Sequence, residues 1–375
     1  MPLLLEEDSI IPPIINDKSA LNALLKSTSL LIIDEVTMAT RKMCNAIDRS
    51  IREALGSTKP FGGLTVVWSG DFRQTLPVVN KGGKAETLHE TVKESDLWHL
   101  VKTYTLTKNM RLSKGDDTQQ FSEYLLRIGE GREEVKIEPD MVKIPDNLRS
   151  MAENSADFCR EIFPNLKEKA TKFQKDLATY KKLQKDQDEG INSWSNWLMS
   201  RAIITPTNAM AEEINQTLIR ELPSDGARIY RSFDSVVNDC DQHNFPTEYL
   251  NTLQLSSIPP HVLELRIGCP IMLIRNLDIR NGFVNGSRYI VTGLGERVIE
   301  AKVATGPHYG KVLMIPRIIF KPEDKTIPFE FQRKQYPIKL CFGLTSNKSQ
   351  GQSFQNVGIY LQEPFFGHGK ICGKK

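Results

Sequence analysis

Short unbroken apolar runs along this chain alternate with longer stretches in which apolar residues return every third or fourth position. Leu30-Leu31-Ile32-Ile33 and Leu64 to Trp68 are runs of the first kind. A run without polar alternation predicts a strand buried on both faces, as in a parallel sheet. Between them Met43, Ala46, Ile47 and Ile51 recur at helical spacing, so residues 39–55 predict a helix that Gly56 closes. Upstream, Pro12 and Pro13 break any early helix, and Ser19 is placed to cap a short helix with Leu21, Leu24 and Leu25 on one face. Strands alternating with helices predict an α/β domain.

The pattern changes at residue 166. Lys and Asp/Glu dominate residues 166–190, with Ala170, Phe173, Leu177, Tyr180 and Leu183 at helical spacing, which predicts an amphipathic connector or insertion. A second α/β pattern begins at Ala202-Ile203-Ile204 and includes Cys269 to Ile274 as a strand. From Gly282 to Arg317, glycine-rich turns separate the short β-like runs Arg288 to Val291, Val298 to Val303 and Val312 to Ile315. These predict a small antiparallel barrel inserted in the second domain. The α/β signal returns with Ile338 to Phe342 and Val357 to Leu361. The 375 residues suit two domains with elaborations.

Composition changes this picture little. The apolar fraction is 39% and the charged fraction 25%, a globular balance that excludes a disordered, collagenous or rod-like chain. The net charge of +3 is too small to attract nucleic acid by itself. Its distribution is more telling: residues 1–190 hold 28 Lys+Arg against 30 Asp+Glu, and residues 191–375 hold 21 against 16. The second part is the one suited to phosphates. The six cysteines form no CxxC pair, so neither a zinc knuckle nor a dense disulfide framework fits, and a reducing, intracellular setting is expected. No apolar run approaches a membrane span, and the acidic start is unlike a signal peptide.

Four segments carry candidate chemistry. Asp34-Glu35 ends an apolar strand, which places two carboxylates at the carboxyl edge of a parallel sheet, where ligands bind in such folds. One can hold Mg²⁺ while the other orients or deprotonates a water; a strand end running into a solvated turn explains the pair as well. Gly70-Asp71-Phe72-Arg73-Gln74 follows the next strand, and the Gln74 amide can both donate to and accept from a phosphate or its water. Leu106 to Arg111 reads as a strand followed by a cation, with a surface ion pair as the plain alternative. Thr345-Ser346-Asn347-Lys348-Ser349-Gln350-Gly351-Gln352-Ser353 is a loop dense in hydrogen-bonding groups, suited to phosphate contact.

In this order the four segments resemble the motifs of superfamily 1B helicases of the Pif1 family, most closely its Helitron-like branch. Trp197 to Asn208, Ile258 to His261, Gly268 to Leu277, Asn285 to Arg288, Ile315 to Ile318 and Gln335 to Ile338 extend the resemblance over most of the chain. It implies two RecA-like parallel-sheet domains with an SH3-like insertion: a partial first domain over 1–165, a charged connector over 166–194, a second domain over 195–281 and 336–375, and the insertion over 282–335. It implies ATP as substrate, with Asp34 holding Mg²⁺, Glu35 activating water, Gln74 coupling the γ-phosphate to DNA, and Arg111 as an arginine finger. Gly351 is expected near the nucleotide. Thr205, Thr207, Asn208, Thr345, Asn347 and Lys348 are expected on single-stranded DNA. The implied protein is a monomeric 5′→3′ DNA helicase of replication, repair, recombination and telomere maintenance, nuclear or mitochondrial and not membrane-bound.

The sequence departs from the family pattern at the phosphate loop. Gly-Lys occurs at 83–84, 310–311, 369–370 and 373–374, never within Gly-x-x-x-x-Gly-Lys-Ser/Thr. After Phe366-Gly367-His368-Gly369 the family's last arginine motif does not follow. The expectation is a chain short at both ends and inactive in ATP hydrolysis by itself. The alternative is a catalytically dead remnant that only binds DNA or a partner.

Overall fold

The computed structural model describes residues 9, 11, 14, 16, 19–79, 82–110, 116–132, 144–183, 189–237, 245–255, 257–306, 308–322 and 327–362. The chain forms two compact units, one over Met1–Pro145 with Phe365–Lys375 and the other over Asp146–Pro364. The expected break at residue 165 thus falls inside the second unit.

Unit 1 contains α1 (Ala20–Lys26), β1 (Leu30–Ile33), α2 (Arg41–Leu55), β2 (Thr65–Trp68), α3 (Lys84–His89) and α4 (Asp116–Gly129). Both predicted caps are present: Ser19 Oγ accepts from the Leu21 amide, and Gly56 closes α2 in the left-handed region at φ 61°. Thr40, expected one residue inside the helix, instead caps it by accepting from the Met43 amide. β1 and β2 are parallel, in the register Leu30↔Thr65 to Ile33↔Trp68. Their inner face joins Leu31 and Val66 to a core of Leu25, Ile51, Phe61 and Leu97. The outer face is open, with Leu30 50% and Ile32 62% exposed. Burial on both faces was expected; among the described residues no layer covers the second face. The strand expected before Arg111 is also absent. Residues 101–109 pair with no strand among the described residues, and Leu106 is exposed.

Unit 2 opens with α5 (Ser155–Ile162), α6 (Leu166–Leu183) and α7 (Glu189–Met199). Its parallel sheet has the order β14-β3-β15, from β14 (Gly343–Thr345), β3 (Arg201–Thr205) and β15 (Asn356–Ile359), with α8 (Asn208–Glu221) after β3. α6 is not a solvated connector. Its apolar stripe of Ala170, Phe173 and Leu177 is buried in the main core, and Phe173 stacks on Trp194 at 5.5 Å. A fully buried aromatic or leucine contributes roughly 1.5–3 kcal/mol, enough to hold a Lys-rich helix down by one stripe.

Between these parallel strands the chain builds antiparallel sheets. β4 (Arg228–Arg231) pairs with β6 (Val262–Leu265). β7 (Pro270–Leu273), β8 (Arg288–Leu294), β9 (Val298–Val303) and β10 (Val312–Pro316) form a sheet that β13 (Ile338–Leu340) completes, in the order β10-β9-β8-β7-β13. The three short runs expected between 282 and 317 are there as antiparallel β8–β10, but they share their sheet with β7 and β13 from outside that span, and two assignments change. Cys269 to Ile274 and Ile338 to Phe342 were expected as parallel strands; β7 and β13 pair antiparallel to each other. β8 and β13 pair with the two edges of β7; every residue of β7 is buried, and burial on both faces removes the alternation that would have marked it. The strand that feeds the polar loop is the next one, β14.

A third sheet joins β5 (Phe233–Val236), β11 (Ile318–Phe320) and β12 (Phe331–Gln335) in the order β11-β12-β5, and α9 (Thr247–Thr252) lies near it in the chain. Its inner face covers an apolar cluster of Val236, Leu250, Ile258, Phe320, Phe329 and Phe331. Within that cluster Arg333, fully buried, grips Asp234 with both ends of its guanidinium at 2.9 and 2.6 Å. No described helix is long and apolar enough to cross a membrane.

Candidate functional site

In unit 1 the parallel pairing of β1 and β2 brings the two carboxyl-end motifs together. The Ser69 amide donates to the Ile33 carbonyl and the Val36 amide to the Ser69 carbonyl, each at 2.9 Å. The buried Thr37 hydroxyl reaches the Asp71 carbonyl at 3.5 Å. A side chain at position 70 would meet Thr37 at 3.0 Å, so this stitching uses a glycine. Asp34 is exposed, and its Oδ1 accepts from the Glu35 amide at 3.0 Å. Glu35 itself sits at φ 53°, ψ 35°, a left-handed conformation that costs a non-glycine residue free energy and concentrates at functional positions.

The Gly70 to Gln74 loop is held by charge. Arg73 donates from Nε to Asp71 Oδ1 at 2.8 Å and from Nη2 to Oδ2 at 3.1 Å, and its Nη1 lies 3.6 Å from Glu130. Burial alone would push the Asp71 carboxyl up. Hydrogen bonds and charge from Arg73, with a further hydrogen bond from Gln74, outweigh it and hold Asp71 below the usual carboxylate range. Gln74 is thereby fixed through its side chain to Asp71 and through its amide to the Asp71 carbonyl at 2.9 Å. Arg111 lies outside the described residues.

The chemistry of this donor set fits Mg²⁺. Among the described residues no three His, Cys, Asp or Glu side chains group closely enough to cage a metal. Mg²⁺ needs no such cage. It is usually held by one or two carboxylates, water and substrate phosphates, and exposed Asp34 beside Glu35 offers that.

In unit 2 the remaining candidates converge on one rim. β14 and β3 are parallel and end level, with Thr345 opposite Thr205. The 205–208 and 345–351 segments therefore leave the carboxyl edge of the sheet side by side, where open α/β sheets bind ligands. Thr205 is fully buried and its hydroxyl donates to the Thr207 carbonyl at 3.0 Å. Thr207 caps α8 through Oγ1, which accepts from the Met210 amide at 3.4 Å. Asn208 follows, exposed, at the start of α8. These two threonine hydroxyls thus shape the rim, and Asn208 presents its side chain.

α10 (Ser346–Ser349) carries the second segment. Thr345 and Asn347 are half-buried, Lys348 is exposed, and Gly351 turns the chain at φ 74° with open space around it. Ser346 Oγ, Asn347 Oδ1 and Gln352 Oε1 are shielded from solvent yet have no hydrogen-bond partner among the described residues. Such orphaned groups are rare in folded proteins and suit a surface that awaits a polar ligand. The surrounding protein, and then the Arg275 cation, hold the Lys348 ammonium below the ordinary lysine range. Burial does the same to Lys339, with Glu212 opposing and Lys348 adding to the effect. Lys348, Arg275 and Lys339 are thus electrostatically coupled around α10.

Arg275, Lys339 and Asn215 were not singled out from the sequence. The buried Asn215 amide donates to the Leu340 and Gly343 carbonyls and accepts from the Gly343 amide at 2.9 Å, locking β14 in place. Arg275 and Asn215 arrive from distant segments, while Lys339 lies on the strand just before β14, and no local pattern joins them to the loop they support.

Comparison with known proteins adds independent findings. Residues 1–138 match the family described as PIF1-like helicase, and residues 248–294 match the 2B domain of DNA helicase Pif1. The chain is 24% identical over 340 residues to the ATP-dependent DNA helicase PIF1 of Danio rerio, covering 89% of this chain and 42% of that protein. It is 24% identical over 401 residues to the ATP-dependent DNA helicase RRM3 of Saccharomyces cerevisiae, covering 96% of this chain and 51% of that one. The chain therefore spans about half or less of these relatives. Its fold is similar to that of Bacteroides Pif1 bound to single-stranded DNA, with a TM-score of 0.60, 22% identity, and coverage of 95% of this chain and 70% of that one. A Pif1 structure that addresses unwinding at forked DNA by two coordinating helicases gives a TM-score of 0.62, at 22% identity, 98% of this chain and 70% of that one.

Proposed function

We propose, on the premise that this chain belongs to the Pif1-like helicase family, that it forms part of an ATP-driven 5′→3′ DNA helicase and that unit 2 carries a single-strand grip. The observation that carries this reading is the pairing of Thr345 with Thr205. It sets two polar loops on one rim with three orphaned polar atoms and an electrostatically crowded lysine. Asn208, Asn347 and Lys348 would contact the strand, while Thr205, Thr207 and Thr345 would fix the backbone that presents them.

In the same reading unit 1 supplies part of a nucleotide site. Asp34 would hold Mg²⁺, which when bound neutralises phosphate charge. Glu35 would orient and deprotonate the attacking water, its backbone set by the left-handed turn. Gln74, tied to Asp71, would report the state of the γ-phosphate. Arg111 would stabilise the charge of the transferring group. The 375-residue polypeptide has no Gly-Lys-Ser/Thr loop to cradle phosphates, so by itself it is expected neither to bind ATP tightly nor to turn it over. That same feature supports a second reading, a chain that binds single strands without catalysis.

The expected setting is DNA replication, repair, recombination and telomere maintenance, in the nucleus or in mitochondria, with affinity to the Helitron-like branch. A monomer suffices, since each candidate loop belongs to one chain. The test is a salt titration of oligo-dT and mixed-sequence DNA binding by wild type and Lys348→Ala. The slope of log affinity against log salt should flatten by about 0.7 in the variant, equally for both sequences. An unchanged slope would remove Lys348 from the DNA backbone, and no binding by wild type would refute the single-strand reading.

A further inference from the structure

The outer face of the sheet β11-β12-β5 has no part in the loops above. Its inner side chains, Phe320, Phe331, Arg333, Asp234 and Val236, are buried, so alternation sends their neighbours outward. The register Ile319↔Lys334 and Lys334↔Phe233 then lines up an aliphatic residue, a cation and an aromatic ring in one row across the sheet. Phe233, the first residue of β5, is 68% exposed and Ile319, in the middle of β11, 58%, large values for apolar side chains in paired strands.

Cations frame this row. Arg231, the last residue of β4, lies two residues before Phe233, and Arg317 and Lys321 flank β11, two residues either side of Ile319. Arg317 is braced, with its guanidinium 4.9 Å over the Tyr336 ring and Nη1 donating to the Arg231 carbonyl at 2.6 Å. Among the described outward residues of this sheet the one carboxylate is Glu330, just before β12 and away from the row. On the adjoining β6, Glu264 is neutralised by Arg266 at 2.9 Å. Four cations face one acid, and an exposed aromatic sits among them.

Phosphate-rich single strands are bound by this combination, a positive track with an aromatic on which a base can stack. An acidic peptide would use the charges but has no need of a rigid, exposed ring at the centre. We propose that the outer face of β11-β12-β5 is a second single-strand contact, with one base stacked on Phe233 and the backbone running over Lys334, Arg231 and Lys321. This rests on the reading that the chain binds single strands, and it adds a contact that reads base stacking.

The experiment measures binding of the full chain to labelled oligo-dT and to an abasic strand of equal length. Phe233→Ala should weaken oligo-dT about tenfold, leave the abasic strand unchanged, and keep the melting temperature because the ring is exposed. Phe233→Tyr should restore oligo-dT binding. Lys334→Ala should weaken both strands and lower the salt slope by about 0.7. Wild-type affinity of Phe233→Ala for oligo-dT, with Lys348→Ala impaired, would overturn this second contact and leave the α10 rim standing; that pattern would instead fit a face for an acidic protein segment. Equal loss on both strands for Phe233→Ala would also overturn it. Absence of wild-type binding would overturn both.

Discussion

Replacing Arg333 with Met tests how unit 2 holds its antiparallel part together. Arg333 and Asp234 are both fully shielded from solvent, and the guanidinium also donates to the Leu250, Leu253 and Pro259 carbonyls at 3.1–3.2 Å. It therefore ties the 250–259 segment to the sheet. Arg333→Met leaves Asp234 with the Ser232 hydroxyl at 2.6 Å and His261 Nδ1 at 3.8 Å. Breaking a buried pair from one side costs about 3–5 kcal/mol, because the remaining charge is stranded. Urea denaturation at pH 7.5 should show that loss, and Arg333→Met with Asp234→Leu should recover most of it. The pH dependence adds a second reading. Burial, with the Arg333 and Arg231 cations, outweighs Asp234 and holds His261 below its ordinary 6.5. Wild-type stability from this group is therefore present above about pH 6.5 and is lost as pH falls through the lower folded value. In Arg333→Met one of those cations is gone and Asp234 is uncompensated, so His261 gains protons more readily in the fold. The gap between variant and wild type should narrow on acidification. A single-variant cost under about 1 kcal/mol, or a double variant no better than the single, would refute the argument.

Other outcomes follow from particular contacts. Gly358→Ala should destabilise unit 2 by about 1–3 kcal/mol in the same denaturation assay, since its Cβ would meet Ile162 and Phe158 at 2.7 Å. Thr207→Ala should cost about 1 kcal/mol by removing the α8 cap, with Thr207→Ser close to wild type. The isolated chain should show no DNA-stimulated phosphate release; robust turnover abolished by Glu35→Gln would contradict its proposed inactivity while supporting Glu35.

The legible parts of this protein are those written contiguously. Asp34-Glu35 and the Gly70 to Gln74 loop each follow their own strand, so their place at a carboxyl edge could be read directly. That the 205–208 and 345–353 loops follow strands of one domain could be read too, but the register that sets Thr345 opposite Thr205 could not, because it joins segments on either side of the whole antiparallel insertion. β7 misled because a strand buried on both faces shows no alternation, whether its partners run parallel or antiparallel; β13 does alternate, with Lys339 between buried Ile338 and Leu340, but three residues are too short a run to show its direction. In β12, Gln332-Arg333-Lys334-Gln335 reads as a solvated strand. Arg333 nevertheless points inward to Asp234, a partner so far back in the sequence that no local pattern announces it. The open outer face of β1 was missed because unbroken apolarity says what a strand can bury, not what is present to cover it.

The most direct test of the central claim is hydrogen exchange of the whole chain with and without oligo-dT. Binding at the unit 2 rim predicts slowed amide exchange over residues 343–352 and 205–210, reduced by Lys348→Ala. Protection that spares both segments while DNA is bound would contradict the account.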